Sequence, residues 1–136
     1  MLRKINIKLL IVIWLVVIFI LSTLSGSSFN KIPTFKIPHL DKIIHFIMYF
    51  ILQFIVVAEY YKNSANKYKP AKFFTLSILF SITYGGIMEI LQEYIFTSRT
   101  GSLADFLANS IGAIIGSFAL LLLYNYTPLL NKIIKK

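Results

Sequence analysis

The side chains best suited to chemistry fall in three short stretches of an otherwise apolar sequence. In the first stretch, Asp41, His45 and Tyr49 follow one another at intervals of four residues, so they share one face of a helix. In the second, Glu89 and Gln92 lie three residues apart. A carboxylate, an imidazole and a phenol on neighbouring helices can bind a polar ligand or exchange protons. With a second carboxylate they can also hold a divalent metal ion.

The third stretch begins with Arg99 and continues with Asp105 and Asn109, four residues apart. Gly112 and Gly116 then follow on the same helical face, at spacings of three and four. A G-x-x-x-G pair is more typical of close helix packing than of ligand binding. We therefore expect this face to combine a polar site with a packing surface.

The elements that must position these residues are long apolar segments. The chain of 136 residues is 57% apolar and 14% charged, and its mean hydropathy is +0.76, which excludes an ordinary soluble domain. Apolar runs of about 20 residues have the length of a membrane-spanning helix. The runs cover residues 9–24, 43–61, 73–92 and 103–124. We predict an all-α, integral membrane bundle of four transmembrane helices that forms a single domain over residues 1–136.

The first apolar run has two interpretations. A basic start, an apolar stretch and the small residues of 22–28 are also the pattern of a secretory signal peptide. The run is longer than the usual ~7 to 15 residues of such a segment, and no A-x-A site follows it. We therefore favour a retained first helix.

The net charge of +9 alone is compatible with a nucleic-acid binder, but the distribution of lysines predicts a membrane orientation instead. With four spans, one side of the membrane carries Arg3, Lys4, Lys8, Lys62, Lys67, Lys69, Lys72, Lys132, Lys135 and Lys136, whereas the other carries Lys31, Lys36, Lys42 and Arg99. The positive-inside rule then predicts a multi-pass protein of the cell membrane with both termini in the cytoplasm. We expect no nucleic-acid partner.

In this topology the polar stripes of the last three helices converge in the outer half of the membrane, around one outward-facing pocket. We predict that the pocket contains Asp41, Lys42, His45, Tyr49, Glu89, Gln92, Arg99, Ser102, Asp105 and Asn109, and that Gly85, Gly112 and Gly116 pack helices. Glu89 lies inside an apolar run, so it needs a partner, for which Arg99 or His45 is suited. Structural roles remain open for some members, because Asp41 and Lys42 suit a helix start at the interface and Ser102 suits an N-cap.

Three stretches of the sequence together resemble the VanZ-like membrane proteins, a family named for a teicoplanin-resistance factor. They are DKIIHFIMYFIL (41–52), GIMEILQ (86–92) and RTGSLADFLANSIGAIIG (99–116). The family pattern falls on the predicted pocket residues, from Asp41 to Asn109, and on Gly112 and Gly116. The resemblance implies a small bacterial membrane protein, and some members of the family reduce susceptibility to lipid-bearing glycopeptide antibiotics.

Three classes of function are compatible with these features. The first is binding or remodelling of an amphiphilic envelope ligand, such as a membrane lipid, a lipid-linked cell-wall precursor or a lipoglycopeptide, with Arg99 meeting an anionic group. The second is an intramembrane hydrolase or transferase, with or without a metal ion, in which His45, Glu89 or Asp105 acts as acid, base or ligand. The third is a structural bundle in which the polar residues hold helices together.

The sequence ranks binding first among the three. It contains no cysteine, no G-x-S-x-G and no H-E-x-x-H, so the enzyme hypothesis lacks a recognisable catalytic motif. We predict no cofactor.

Overall fold

The helices of this chain are seen in a computed structural model that describes residues 6–23, 39–62, 70–96 and 101–126. Within these ranges the backbone forms four helices and no strand. They are α1 (Ile7–Thr23), α2 (Leu40–Lys62), α3 (Pro70–Tyr94) and α4 (Leu103–Tyr126). The predicted all-α, four-helix membrane bundle is confirmed.

Length and composition suit these helices to a bilayer. Helices α2, α3 and α4 have 23, 25 and 24 residues and are apolar enough to cross a membrane. Helix α1 is a shorter apolar helix of 17 residues, at the lower limit of the roughly 17 to 25 residues that span a hydrocarbon core. The chain is therefore a membrane protein.

Burial in the bundle is inverted relative to a soluble domain. Large apolar side chains cover the outside; Phe118 and Leu122, for example, are 56% and 55% exposed. Polar side chains are buried inside, among them Gln53 and Asn109, both fully buried. This distribution is expected where lipid surrounds the apolar surface and each polar side chain needs a partner within the protein.

Local sequence explains where α3 and α4 begin. Helix α3 starts at Pro70, whose fixed φ and missing N–H suit the first helical position. Helix α4 is capped by Ser102, whose hydroxyl oxygen accepts a hydrogen bond from the Ala104 backbone N–H at 3.2 Å. The N-cap role considered for Ser102 is thus present in the structure.

The most extensive helix contact joins α2 and α4. Gly112 lies directly against the backbone carbonyl of Phe46, and Gly116 lies one turn further along against that of Phe50. A Cβ atom at either glycine would overlap the facing carbonyl oxygen. Glycine at these two positions therefore permits the close approach of α2 to α4.

Helix α1 is attached to the other helices through backbone carbonyl groups. The Trp14 indole N–H donates to the Met48 carbonyl at 2.9 Å. The Tyr84 hydroxyl donates to the carbonyl of Leu15, also at 2.9 Å. These bonds place α1 beside α2 and α3. The contact between α2 and α4, rather than α1, positions the polar residues.

Candidate functional site

A group of charged and polar side chains lies at the end of the bundle where α2 and α4 begin and α3 ends. We call it the His45 cluster, and it consists of Asp41, Lys42, His45, Glu89, Asp105 and Asn109. Four of the six, namely His45, Glu89, Asp105 and Asn109, are buried. The structure thus joins residues from three predicted stretches in one place.

The centre of the cluster is a connected set of contacts among His45, Asn109 and Glu89. The Nδ1 atom of His45 lies 3.1 Å from Asn109 Oδ1 and 3.5 Å from Glu89 Oε1. The Asn109 amide Nδ2 donates to the same Glu89 oxygen at 3.2 Å. One residue from each of α2, α3 and α4 therefore meets in a buried hydrogen-bonded network.

The contacts in this network indicate which ring nitrogen of a neutral His45 carries the proton. An ionised Glu89 only accepts hydrogen bonds, so the Asn109 NH₂ group faces Glu89 and its carbonyl oxygen faces His45. The atoms that face Nδ1 are then both acceptors, which assigns the proton of a neutral imidazole to Nδ1. With Glu89 ionised and His45 neutral, the lone pair of the ring is therefore on Nε2.

The other ring nitrogen of His45 lies near a further carboxylate, and a third carboxylate is close by. Nε2 lies 3.8 Å from Asp41 Oδ1. Asp105 Oδ1 lies 3.5 Å from the Lys42 ammonium nitrogen, whose side chain is 39% exposed. Asp41, His45 and Asp105 each offer one ligand atom, and these atoms lie within 4.8 Å of one another.

Three buried polar atoms in or beside the cluster have no hydrogen-bond partner in the described part of the chain. They are His45 Nε2, Tyr49 OH and Asp105 Oδ1. Leaving a buried donor or acceptor unpaired costs about 1–3 kcal/mol, so such groups in one region need an explanation. A polar ligand or an ion bound there would satisfy them.

The segment that enters α4 is hydrogen-bonded to the end of α3. The Ser102 backbone N–H donates to Glu89 Oε2 at 3.0 Å, and the Gly101 N–H donates to Glu93 Oε2 at 2.9 Å. Gly101 lies so close to the Glu89 carbonyl oxygen that a Cβ would overlap it. Glu89 thus holds both Asn109 and the start of α4.

The remaining predicted pocket residues have different surroundings. Gln92 is buried and donates from Nε2 to the Ser22 carbonyl at 3.0 Å, so it contacts α1. The Tyr49 ring is beside Gly85, where an added Cβ atom would lie 3.3 Å from ring atom Cε1 and also 3.3 Å from Asn109 Nδ2. Arg99 lies outside the described residues.

Sequence analysis missed two polar side chains that hold helices or helix ends together outside the His45 cluster. Gln53 is fully buried; its Nε2 donates to Ser77 Oγ at 2.7 Å, and its Oε1 accepts from Ser81 at 2.9 Å. The four-residue spacing of Asp41, His45 and Tyr49 continues to Gln53, and that spacing was the available signal. Glu93, which holds Gly101, has no comparable signal because it is exposed at the helix end.

Comparison with known protein families gives one match, and it covers most of the chain. The family model described as VanZ/LLP1 matches residues 7–124, which include all four helices except the last two residues of α4. No curated protein and no solved structure matches the chain.

Proposed function

The chain belongs to the VanZ/LLP1 family, and on that premise we propose that it binds the polar headgroup of an amphiphilic envelope ligand at the His45 cluster. The observation that carries the proposal is the burial of His45, Glu89, Asp105 and Asn109 within apolar helices. Ionisable residues at such positions are costly and mark functional sites by default. A purely structural role does not explain why three buried polar atoms beside that network have no hydrogen-bond partner within the described residues.

The proposed ligand combines an acyl part with a polar, partly anionic head. The exposed apolar surface of the helices suits an acyl chain, and Lys42, half exposed beside the buried carboxylates, suits an anionic group. Arg99, two residues before the docked Gly101, is proposed as a second anion-binding group. A membrane lipid, a lipid-linked cell-wall precursor and a lipoglycopeptide such as teicoplanin share this chemistry.

The proposed topology places this end of the bundle outside the cell. Both termini are in the cytoplasm in this proposal, and all four helices cross the cell membrane. The support is the excess of lysine and arginine in residues 3–8, 62–72 and 132–136, which lie on one side of the membrane when the chain crosses it four times. In that orientation the His45 cluster faces the compartment in which wall precursors and glycopeptides meet.

The test is the susceptibility of a bacterial strain to teicoplanin when the chain is deleted or overproduced. We expect overproduction to lower susceptibility and Glu89→Gln to abolish that effect. Ser102 and Asn109 donate to different oxygens of Glu89, and a glutamine amide has an acceptor at only one of those two positions. The matched control is Glu93→Gln, the same change one turn further along α3, which can still accept from Gly101.

Two results would reject parts of the proposal, provided that immunoblots show equal amounts of each variant in the membrane. Full activity of Glu89→Gln would exclude the His45 cluster as the working site. Unchanged susceptibility on both deletion and overproduction would exclude the resistance role for this chain.

A second candidate function is catalysis on a lipid or lipid-linked substrate. It is favoured by one observation: His45 Nδ1 lies 3.1 Å from Asn109 Oδ1 and 3.5 Å from Glu89 Oε1. In a neutral ring oriented in this way, Nε2 would carry the lone pair of a general base. Mass spectrometry of membrane lipids from cells that overproduce wild type or Glu89→Gln separates the two functions. A lipid species that changes only with wild type indicates turnover, whereas identical lipid profiles with different susceptibility indicate binding.

A further inference from the structure

Three residues of the His45 cluster together have the composition of a metal site. Asp41, His45 and Asp105 supply two carboxylate oxygens and one imidazole nitrogen, all within 4.8 Å of one another. Ligand atoms about 2.1 Å from a tetrahedral metal lie roughly 3.4 Å apart. The observed 3.8 Å between His45 Nε2 and Asp41 Oδ1 is close to that spacing. At the 4.8 Å limit, a common ion would draw two of these atoms together by no more than about 1.4 Å.

Two of these three residues also carry a buried polar atom that has no hydrogen-bond partner among the described residues. His45 Nε2 and Asp105 Oδ1 have no hydrogen-bond partner among the described residues, although the two residues are only 1% and 4% exposed. The network assigns the lone pair of a neutral His45 to Nε2, on the side of the ring that faces Asp41. A metal-ligating histidine almost always has its other ring nitrogen fixed by a hydrogen-bond acceptor, and here Asn109 provides it.

Charges around the site also favour a cation. Within the described residues, the cluster contains the carboxyl groups of Asp41, Glu89 and Asp105, whereas Lys42 supplies the one ammonium group. Lys42 lies at ion-pair distance from Asp105 Oδ1, so it competes with a metal ion for that oxygen. Its side chain is 39% exposed, which allows it to move outward when an ion binds.

We infer that Asp41, His45 Nε2 and Asp105 form a binding site for a divalent transition-metal ion of the Zn²⁺ type. One nitrogen and two carboxylate ligands suit such an ion, and three protein ligands leave at least one coordination position for water or a ligand oxygen. The inference goes beyond the proposed function, because binding of the ion requires neither an envelope ligand nor a reaction.

The experiment uses the full chain in detergent, freed of metal by a chelator, and Co²⁺ as the probe. We expect the d–d absorption to saturate at one Co²⁺ per chain and to disappear when Zn²⁺ is added. Asp105→Asn and Asp41→Asn each remove a ligand charge at nearly constant size. We expect either change to weaken Co²⁺ binding by at least about tenfold. Glu93→Gln, which removes a carboxylate outside the three ligands, is the matched control and should bind as wild type does.

Lys42→Met provides an independent arm of the test. Removing the competing ammonium group should tighten Co²⁺ binding severalfold, whereas weaker binding by this variant would contradict an ion beside Asp105. The inference is overturned if wild type shows no saturable absorption, or if Asp105→Asn and Asp41→Asn bind Co²⁺ as tightly as Glu93→Gln does. Circular dichroism shows whether each variant is folded. Because no envelope ligand is present, failure here leaves the susceptibility test of the proposed function unaffected.

Discussion

Replacing Gly112 by alanine tests whether close contact between α2 and α4 positions the His45 cluster. A Cβ at Gly112 would lie 3.1 Å from the carbonyl carbon of Phe46 and would overlap its oxygen. Carbon and oxygen atoms in contact across helices lie about 3.3–3.6 Å apart. This exceeds the distance between the added Cβ and the Phe46 oxygen by about 1 Å, so the helices must separate by about that much. The contact between His45 Nδ1 and Asn109 Oδ1, now 3.1 Å, would then exceed hydrogen-bond length.

The expected loss of stability combines three contributions. Overpacking a close interface costs about 1–3 kcal/mol, and the lost hydrogen bond costs about 1 kcal/mol. The higher helix propensity of alanine returns about 1 kcal/mol. We therefore expect Gly112→Ala to lower the free energy of unfolding by about 1–3 kcal/mol.

Gly86→Ala is the matched control, because a Cβ there would lie 3.4 Å from Phe106 Cε2, an ordinary contact. This variant should be as stable as wild type or more stable by up to about 1 kcal/mol. Reversible unfolding in mixed detergent, followed by circular dichroism, compares the two variants. The ¹⁵N NMR shifts of the His45 ring report whether Nδ1 keeps its hydrogen-bond partner. Equal stability and equal ring shifts in both variants would refute the packing argument.

Two further predictions concern the middle of the bundle and its orientation. Gln53→Leu removes the hydrogen bonds to Ser77 and Ser81 and should destabilise the protein by about 1–2 kcal/mol. Because Gln53 lies about 12 Å along α2 from His45, this variant should keep the teicoplanin phenotype. Loss of the phenotype would mean that Gln53, Ser77 and Ser81 belong to the working site. The chain has no native cysteine, so single cysteines introduced at Lys31, Asn66 and Thr100 can be labelled selectively. In intact cells an impermeant maleimide should react with cysteine at positions 31 and 100. Reaction at position 66 would reverse the proposed orientation.

The fold could be predicted from the sequence because a bilayer imposes a length on each apolar run. The helices extend beyond the apolar runs at several ends: α2 begins at Leu40, ahead of the predicted 43, and α3 continues to Tyr94. Hydropathy misses such residues because a polar residue such as Asp41 lowers the signal while its carboxylate suits a helix N-terminus. Composition therefore predicts the membrane span better than the helix end.

The partners of each polar side chain were harder to predict than its face. Helical spacing places Gln92 and Glu89 on one stripe, yet Glu89 contacts Asn109 while Gln92 contacts the Ser22 carbonyl of α1. A spacing rule gives the direction of a side chain from its own helix, but the neighbour it meets depends on how the helices are arranged around it. The first apolar run carried no polar motif, so its carbonyl groups could not be identified in advance as acceptors.

The polar and the small residues of α4 depend on each other. Asp105 and Asn109 occupy the first turns of one helical face, and Gly112 and Gly116 continue that face. Because the glycines lie against the backbone of Phe46 and Phe50, α2 comes near enough for His45, the residue before Phe46, to reach Asn109 at 3.1 Å. A larger residue in the glycine stripe would separate the same two helices that supply the imidazole and its amide partner. The G-x-x-x-G pair is thus a packing motif whose effect is to set the distance on which the chemistry of the His45 cluster depends.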